Sequence, residues 1–205
     1  MPRLFLASNN AHKVAELRSM LATLDPPWEV GGLADLAPHI DWIEDGESFV
    51  ANAKIKAQAV RQYTNACVLA DDSGLVVDCL GGAPGVRSSR YAGEAANDAA
   101  NNAKLLGAIA GRSTSELSAR FVCTLYFLDE DGVGHEFTGA LEGHLTSQPR
   151  GNSGFGYDPL FVPVVAPAGW SGCTLAELPP ELKNKISHRA AAFVAFRSWL
   201  ATRRF

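Results

Sequence analysis

The sequence predicts an α/β fold built on a central mixed β-sheet, and two observations carry that prediction. In the first half of the chain, short apolar runs alternate with segments of helical periodicity, as in parallel strands joined by helices. In the middle, two long strand-like runs flank the turn Asp129-Glu130-Asp131-Gly132, which is typical of a β-hairpin. Parallel strands followed by a hairpin give a mixed sheet flanked by helices.

Length and charge limit the possible function classes. A chain of 205 residues that is 47% hydrophobic and 20% charged suits one globular domain, or one domain with two lobes. The net charge of -4 argues against a broad nucleic-acid-binding surface, which needs clustered lysine and arginine. It still allows a phosphorylated small molecule, because a few local cations or a bound Mg²⁺ reverse the sign inside a pocket.

The cysteines and the amino terminus indicate a cytosolic protein. The cysteines are widely spaced and form no Cys-x-x-Cys pair, so we interpret them as small core residues in a reducing compartment: Cys67, Cys79, Cys123 and Cys173. The first residues carry too few apolar side chains for a signal peptide, and no run approaches the length of a membrane-spanning helix.

The first predicted strand covers residues 3–7, and the polar turn Ser8-Asn9-Asn10 leads into a helix that ends before Pro26-Pro27. The turn residues are helix-capping types. Lys13 lies in the first turn, where the helix dipole disfavours a cation. It is either a solvated lysine or one that shares a bound anion with the helix N-terminus.

The next predicted elements are a strand over residues 28–33, an acidic loop over residues 41–47 and a helix over residues 48–63. On that helix Asn52 and Lys56 are four residues apart and share a face. The loop is either a solvated turn or, if it folds back over the carboxylates of the following strand, the source of Glu44 as an oxygen ligand for a hard cation.

Two adjacent carboxylates, Asp71 and Asp72, follow a short apolar run over residues 67–70 that we interpret as a buried strand. Consecutive strand residues point to opposite faces, so each carboxylate needs its own reason to be there. A carboxylate against a core is unfavourable unless it is paired, hydrogen-bonded or bound to a cation. This segment alone is equally compatible with a strand-end turn, in which Ser73 and Gly74 help to cap the backbone.

The rest of the chain predicts an irregular loop over residues 81–85 and a helix over residues 97–109. Two strands over residues 120–128 and 136–145 and a final helix over residues 188–202 follow. Between the strands and the last helix, Phe155 and Tyr157 alternate with glycines that permit close backbone approach to a ligand. These aromatics either stack on a flat ring or anchor a glycine-rich connection. Ser187 is a natural N-cap for the last helix, and His188 and Arg189 occupy its first turn, where two donors suggest an electron-rich partner.

Together these segments resemble the inosine/xanthosine triphosphate pyrophosphatase family, whose members hydrolyse non-standard purine nucleotides. The matching segments follow family order and cover most of the chain: Ser8-Asn9-Asn10-Ala11-His12-Lys13 with Glu16, Glu44-Asp45-Gly46 through Asn52-Ala53-Lys54, Ala70-Asp71-Asp72-Ser73-Gly74, Gly81-Gly82-Ala83-Pro84-Gly85, Gly154-Phe155-Gly156-Tyr157-Asp158-Pro159 and Ser187-His188-Arg189. Asn9 stands where glycine or serine is common in the family, and the loop over residues 164–173 is longer than its usual counterpart.

The resemblance implies a single domain over residues 1–205, with two lobes, an active-site cleft between them and assembly as a homodimer. It implies Mg²⁺-dependent hydrolysis of ITP, dITP and XTP between the α and β phosphates, which yields the monophosphate and pyrophosphate. No nucleic-acid or membrane partner is expected.

The same resemblance assigns the site. Asp72 is expected to accept the proton of the attacking water and, with Lys13, to form the catalytic pair, while Glu44 and Asp72, with Asp71 nearby, hold Mg²⁺ through oxygen ligands. Whether Asp71 shares the role of Asp72 stays open. The expected substrate-binding residues are Ser8, Asn9, Asn10, Ala11, His12, Lys13, Ser73, Phe155, Gly156, Tyr157, Asp158, Lys183, His188 and Arg189.

Base selection can be argued from donors and acceptors. Hypoxanthine and xanthine present a carbonyl oxygen where adenine presents an amino group, so Arg189, and His188 if it donates, would meet adenine donor to donor. A buried donor without a partner costs roughly 1–3 kcal/mol, which corresponds to about tenfold or more in selectivity. Guanine shares the carbonyl, and the sequence does not reveal what excludes it. Phe155 would stack on the purine and add affinity.

Three rival interpretations stay open. A Maf-like pyrophosphatase acting on modified or pyrimidine nucleotides usually opens with a Ser-x-x-Arg-Arg turn, which this chain lacks. A module that binds nucleotides without hydrolysis is disfavoured by the acidic set Glu44, Asp71 and Asp72, because phosphate binding alone does not favour carboxylates. A double-stranded nucleic-acid binder is disfavoured by the net charge.

Overall fold

A computed structural model describes residues 1–8, 10–24, 26–36 and 39–203, without the side chains of Ala11, His12, Glu16 and Met20. The strands are β1 (Arg3–Leu6), β2 (Glu29–Gly31), β3 (Cys67–Val77), β4 (Ser118–Leu128), β5 (Gly134–Leu145) and β6 (Phe161–Pro163). The helices are α1 (Ala11–Leu21), α2 (Phe49–Arg61), α3 (Asp98–Ile109), α4 (Pro180–Ile186) and α5 (His188–Leu200).

The strands form a mixed sheet. Across the described residues it has six strands in the order β2-β1-β3-β4-β5-β6. β1 pairs in parallel with both neighbours, so that Leu4 lies opposite Val30 on β2 and Cys67 on β3. β6 is antiparallel to β5, and the connection between β4 and β5 is short enough to join only antiparallel neighbours. The predicted α/β class with a mixed sheet is therefore confirmed, and β6 is an addition to the prediction.

The chain divides into two compact units, each with its own apolar core. The first unit comprises residues 1–72, 124–138 and 192–205, and the second comprises residues 73–123 and 139–191. Core residues of the first unit include Phe5, Ala53, Val60, Val68 and Tyr126. Core residues of the second unit include Leu75, Leu105, Phe121, Leu141 and Phe161. Among the cysteines, Cys67 and Cys123 are buried and Cys79 and Cys173 are half-buried, in line with the role of core residues.

Strand β3 runs straight through the paired carboxylates. The expected strand end after residue 70 is absent, and Asp71 and Asp72 are 6% and 9% exposed within a continuous strand over Cys67–Val77. The turn interpretation is therefore wrong. A turn would have brought the two carboxylates to water. Lysines from other elements neutralise both of them instead, so they stay buried within the strand.

Three helices begin at polar capping residues, of which Ser187 was predicted from the sequence. The side chains of Ser48, Asn97 and Ser187 each accept a hydrogen bond from the backbone N–H three residues later, at 3.2, 2.9 and 3.1 Å. Helix α4 is an addition to the prediction, although Pro180 in its first turn is a recognised start signal. Within the described ranges, no helix is both long enough and apolar enough to cross a bilayer.

Candidate functional site

Asp72 lies at the centre of a buried polar group in the first unit. The ammonium of Lys56 lies 3.1 Å from Asp72 Oδ1 and 3.0 Å from Glu44 Oε1. Asn52, one helical turn before Lys56 on α2, donates to Asp72 Oδ2 at 3.1 Å. Its carbonyl oxygen accepts from the backbone N–H of Gly46 at 2.9 Å. The acidic loop thus folds back on α2, and Glu44 and Asp72 share one cation.

The electrostatics of this group are balanced between burial and pairing. Burial raises the pKa of Asp72 and is opposed by the charge and hydrogen bond of Lys56 and by Asn52, which leaves the pKa above its ordinary value. Burial lowers the pKa of Lys56, but the attraction of Asp72 and Glu44 outweighs it and the pKa is raised overall. Lys56 is therefore a fixed positive charge that holds the two carboxylates together.

Asp71 has a different lysine. The Nζ atom of Lys13 lies 2.9 and 2.7 Å from the two carboxylate oxygens of Asp71. The side chain of Lys13 is 26% exposed, whereas that of Asp71 is 6% exposed. The position of Lys13 in the first turn of α1 is thus explained by a long-range ion pair, which neither of the two alternatives drawn from the sequence included.

The opening turn caps α1. Ser8 Oγ accepts from the backbone N–H of Asn10 at 3.1 Å, and Asn10 Oδ1 accepts from the backbone N–H of Lys13 at 3.3 Å. Asn9 and the side chains of Ala11 and His12, which were predicted to bind substrate, lie outside the described residues.

The second unit contains a pocket of about 180 Å³. Every substrate-binding residue predicted from position 73 onwards lines it: Ser73, Phe155, Gly156, Tyr157, Asp158, Lys183, His188 and Arg189. The structure therefore brings together side chains from three distant segments of the sequence.

Six further lining residues were not predicted: Gly74, Ser88, Ser89, Asp98, Asn101 and Phe121. One signal was available in the sequence. Asn101 repeats at helical spacing with Leu105 and Ile109, and all three are buried on one face of α3. A polar residue in an otherwise apolar register needs partners, and the Asn101 amide bonds the backbone of Ser89 and Ala92 at 3.0 and 2.8 Å.

The two aromatics of the glycine-rich segment have different roles. Phe155 is 64% exposed, and Lys183 Nζ lies 4.3 Å from its ring centroid. Tyr157 is 3% exposed and donates its hydroxyl proton to the backbone carbonyl of Ser88 at 2.7 Å. Burial raises the pKa of Tyr157. The ring of Phe155 suits stacking, whereas Tyr157, which also lines the pocket, matches the alternative of an anchoring aromatic, because it is buried and its hydroxyl is bonded to the backbone.

Asp158 is also a buried partner. It is 3% exposed, forms an ion pair with Lys183, and accepts from the backbone N–H of Phe155 at 2.8 Å. Burial raises its pKa, and the charge of Lys183 opposes the rise. Asp158 thus fixes both Lys183 and the backbone that carries the Phe155 ring.

The first turn of α5 contributes two donors to the pocket. Its cap, Ser187, sets the helix start at His188, as predicted. The His188 ring stacks on Phe121, with centroids 5.0 Å apart and an interplanar angle of 14°. His188 and Arg189 both line the pocket at the positive end of the helix dipole, an environment that favours electron-rich ligand atoms.

Comparisons with known proteins cover nearly the whole chain. The Ham1 family model matches residues 4–199. A dITP/XTP pyrophosphatase of Geobacter sulfurreducens is 42% identical over 200 residues, which is 98% of this chain and 97% of the relative. One from Xanthomonas axonopodis pv. citri is 46% identical over 199 residues, 96% of each chain. The solved structure of a HAM1 protein from Coxiella burnetii, 37% identical, has a TM-score of 0.87 and covers 99% of this chain and 100% of that one. Sequence and structure agree that the chain belongs to the Ham1 family.

Proposed function

We propose that this protein hydrolyses ITP, dITP and XTP between the α and β phosphates, releasing pyrophosphate and the nucleoside monophosphate in a Mg²⁺-dependent reaction. The observation that carries the proposal is the convergence of Glu44 and Asp72, distant in sequence, on the single ammonium of Lys56. The substrate class is supported by two relatives named dITP/XTP pyrophosphatase.

The residues present fit Mg²⁺. Glu44 and Asp72 offer oxygen ligands around a position that already stabilises a positive charge. Mg²⁺ is usually bound through one or two carboxylates, with waters and substrate phosphates completing its shell. Among the described side chains, no three His, Cys, Asp or Glu residues lie together as a metal site. We assign Glu44 and Asp72 as the ligands, and Asp71, which pairs with Lys13, stays a candidate at the edge of the site.

The bound metal would neutralise charge on the phosphates. Residues of this chain would activate the attacking water and bind the remaining phosphate oxygens. Asp72, held by Lys56 and Asn52, is assigned to orient the attacking water and accept its proton. Lys13, part of whose side chain is exposed, is assigned to phosphate oxygens. Lys183 is assigned the same role, because it lies at the pocket wall with its ammonium held by Asp158.

The pocket of the second unit is assigned to the base. The exposed Phe155 ring offers a stacking surface, and Arg189 and His188 offer donors to the purine carbonyl oxygen. Adenine would face these donors with its own amino group. This arrangement supports selection of hypoxanthine and xanthine over adenine.

Replacing Arg189 by alanine tests base selection. We expect kcat/KM for dITP to fall about tenfold or more, because the carbonyl oxygen loses a buried donor, while the slow hydrolysis of dATP changes little. The exposed Arg112, replaced by alanine, is the matched control. An equal loss on both nucleotides would contradict a role of Arg189 in distinguishing bases.

Replacing Glu44 by glutamine tests the metal assignment. The Mg²⁺ concentration for half-maximal pyrophosphate release is expected to rise about tenfold or more, since a neutral amide oxygen is a weaker ligand than a carboxylate. Glu47, exposed in the same loop, provides the control variant Glu47→Gln. If the Mg²⁺ titration of Glu44→Gln matches that of the wild type, Glu44 belongs to an ordinary loop.

We further propose that the chain functions as one domain and assembles as a cytosolic homodimer, as the family resemblance implies. Light scattering on the purified protein measures the assembly state directly. A monomer at all accessible concentrations would contradict the dimer.

A further inference from the structure

The backbone N–H and the backbone carbonyl of Gly156 are both hydrogen-bonded to side chains of α3. Asp98 Oδ2 accepts from the Gly156 N–H at 2.6 Å, and Asn102 Nδ2 donates to the Gly156 carbonyl at 2.9 Å. Asp98 and Asn102 are four residues apart and therefore project from the same face of α3. We call this arrangement the Gly156 clamp.

The neighbouring peptide is fixed in the same manner. The N–H of Phe155 donates to Asp158 Oδ2 at 2.8 Å, so two consecutive backbone N–H groups are bound by two different carboxylates. The flanking residues Gly154 and Gly156 have φ values of 81° and 60°, in the region that favours glycine. Side chains thus hold the backbone around Phe155 at three points, whereas Phe155 itself is 64% exposed.

We propose that Asp98 and Asn102 are positioning residues for base binding, and that they act by holding the Phe155 ring in its stacking position before the nucleotide arrives. This inference rests on the proposed function, which places the purine against Phe155. Preorganisation raises affinity because the loop does not have to be ordered on binding. The bond to Asp98 is charge-assisted but solvent-exposed, whereas Asn102 is half-buried, so both residues are expected to contribute.

A purely structural role for Asp98 is the alternative to exclude. The capping of α3 is done by Asn97, whose side chain accepts from the N–H of Ala100 at 2.9 Å. Asp98, in the first turn, also interacts favourably with the helix dipole, and its loss would lower thermal stability whatever its effect on ligands. Stability alone therefore does not test the proposal, and base-dependent affinity does.

The first measurement is calorimetric binding of inosine monophosphate, which carries the base and requires no turnover. Asp98→Ala is expected to raise the Kd by about two- to tenfold, the effect of losing one solvent-exposed, charge-assisted bond. Asp98→Asn keeps an acceptor oxygen and should recover part of the affinity. Inhibition by inorganic tripolyphosphate, which has no base, should be unchanged in both variants.

The second measurement is a double-mutant cycle with Phe155→Leu. If Asp98 acts through the ring, Asp98→Ala should raise KM for dITP in the wild-type background with little change in kcat, and should add little in the Phe155→Leu background. Independent effects that multiply, or a fall in kcat with KM unchanged, would overturn the clamp. An unchanged Kd for inosine monophosphate would overturn it as well.

The two proposals fail in distinguishable ways. Wild-type protein that binds inosine monophosphate in an Asp98-dependent manner but releases no pyrophosphate from dITP would refute the proposed hydrolysis and leave the clamp standing. If the wild type hydrolyses dITP and Asp98→Ala leaves KM unchanged, the clamp is refuted and the proposed hydrolysis is supported. Failure of the wild type to bind inosine monophosphate at all would refute the clamp.

Discussion

Replacement of Asp72 by asparagine is expected to leave a folded protein that releases pyrophosphate from dITP about 10²–10⁴-fold more slowly, the range for loss of a general base. Asparagine has nearly the same shape, and its carbonyl oxygen can still accept from Asn52 or Lys56. Lys56 also keeps its contact with Glu44, 3.0 Å away. The variant therefore removes the negative charge and the proton acceptor while most of the packing remains.

The measurement is single-turnover release of pyrophosphate, with circular dichroism to establish that the variant is folded. Asp131, exposed in the turn between β4 and β5, gives the control Asp131→Asn, which should have wild-type activity. A near-normal rate for Asp72→Asn would remove Asp72 from the mechanism.

The second large effect is a loss of folding stability when the buried ion pair of Lys183 and Asp158 is broken. Lys183→Met should lower the free energy of unfolding near neutral pH by roughly 3–5 kcal/mol, the usual effect of removing one partner from a buried ion pair. The side chains of Lys183 and Asp158 are 12% and 4% exposed, so the remaining carboxylate would be buried without its cation. The hydrogen bond from the Phe155 N–H, at 2.8 Å, would still favour its charged form.

The deficit should depend on pH. Burial raises the pKa of Asp158 above its ordinary value of 3.8, and loss of Lys183 raises it further. A carboxyl whose pKa is raised on folding destabilises the native state progressively as pH rises through that pKa, because the unfolded chain ionises first. The stability difference from the wild type should therefore be smaller at about pH 5 than at about pH 7.5.

Denaturant unfolding at both pH values measures this difference. The double variant Asp158→Asn, Lys183→Met should recover most of the lost stability, because it leaves no buried charge. A small deficit, or one that is independent of pH, would mean that the pair contributes little to the fold.

Features encoded by neighbouring residues could be predicted from the sequence. The starts of α2, α3 and α5 follow from capping side chains that bond a backbone N–H three residues away. The pairing of β4 with β5 follows from a short turn between two strand-like runs. In both cases the interaction partners are local, so the pattern alone is sufficient.

Strand β3 shows why the rest could not be predicted. Two consecutive carboxylates normally end a strand, but Lys13 is 58 residues from Asp71 and Lys56 is 16 residues from Asp72. Pairing over such separations depends on how α1 and α2 pack, which no local pattern reveals. The same holds for Phe155 and Tyr157, since both adjoin glycine and only the distant Ser88 carbonyl makes Tyr157 an anchor.

The candidate site was predicted in part for the same reason. Residues at helix starts and in glycine-rich turns stood out as chemical types, and the structure gathers those from position 73 onwards around one pocket. Asp98 lacked such a signal, because an aspartate in a first helical turn is explained by the helix dipole alone. Its bond to the Gly156 N–H, 58 residues away, emerges only from the fold.

The most direct test of the central claim is pyrophosphate release from a panel of dITP, XTP, dATP, dGTP and dCTP, with and without Mg²⁺. The account predicts that dITP and XTP are hydrolysed at least about tenfold more efficiently than the standard nucleotides, and that removal of Mg²⁺ abolishes release. Preference for a pyrimidine or modified nucleotide, or binding of dITP without pyrophosphate release, would contradict it.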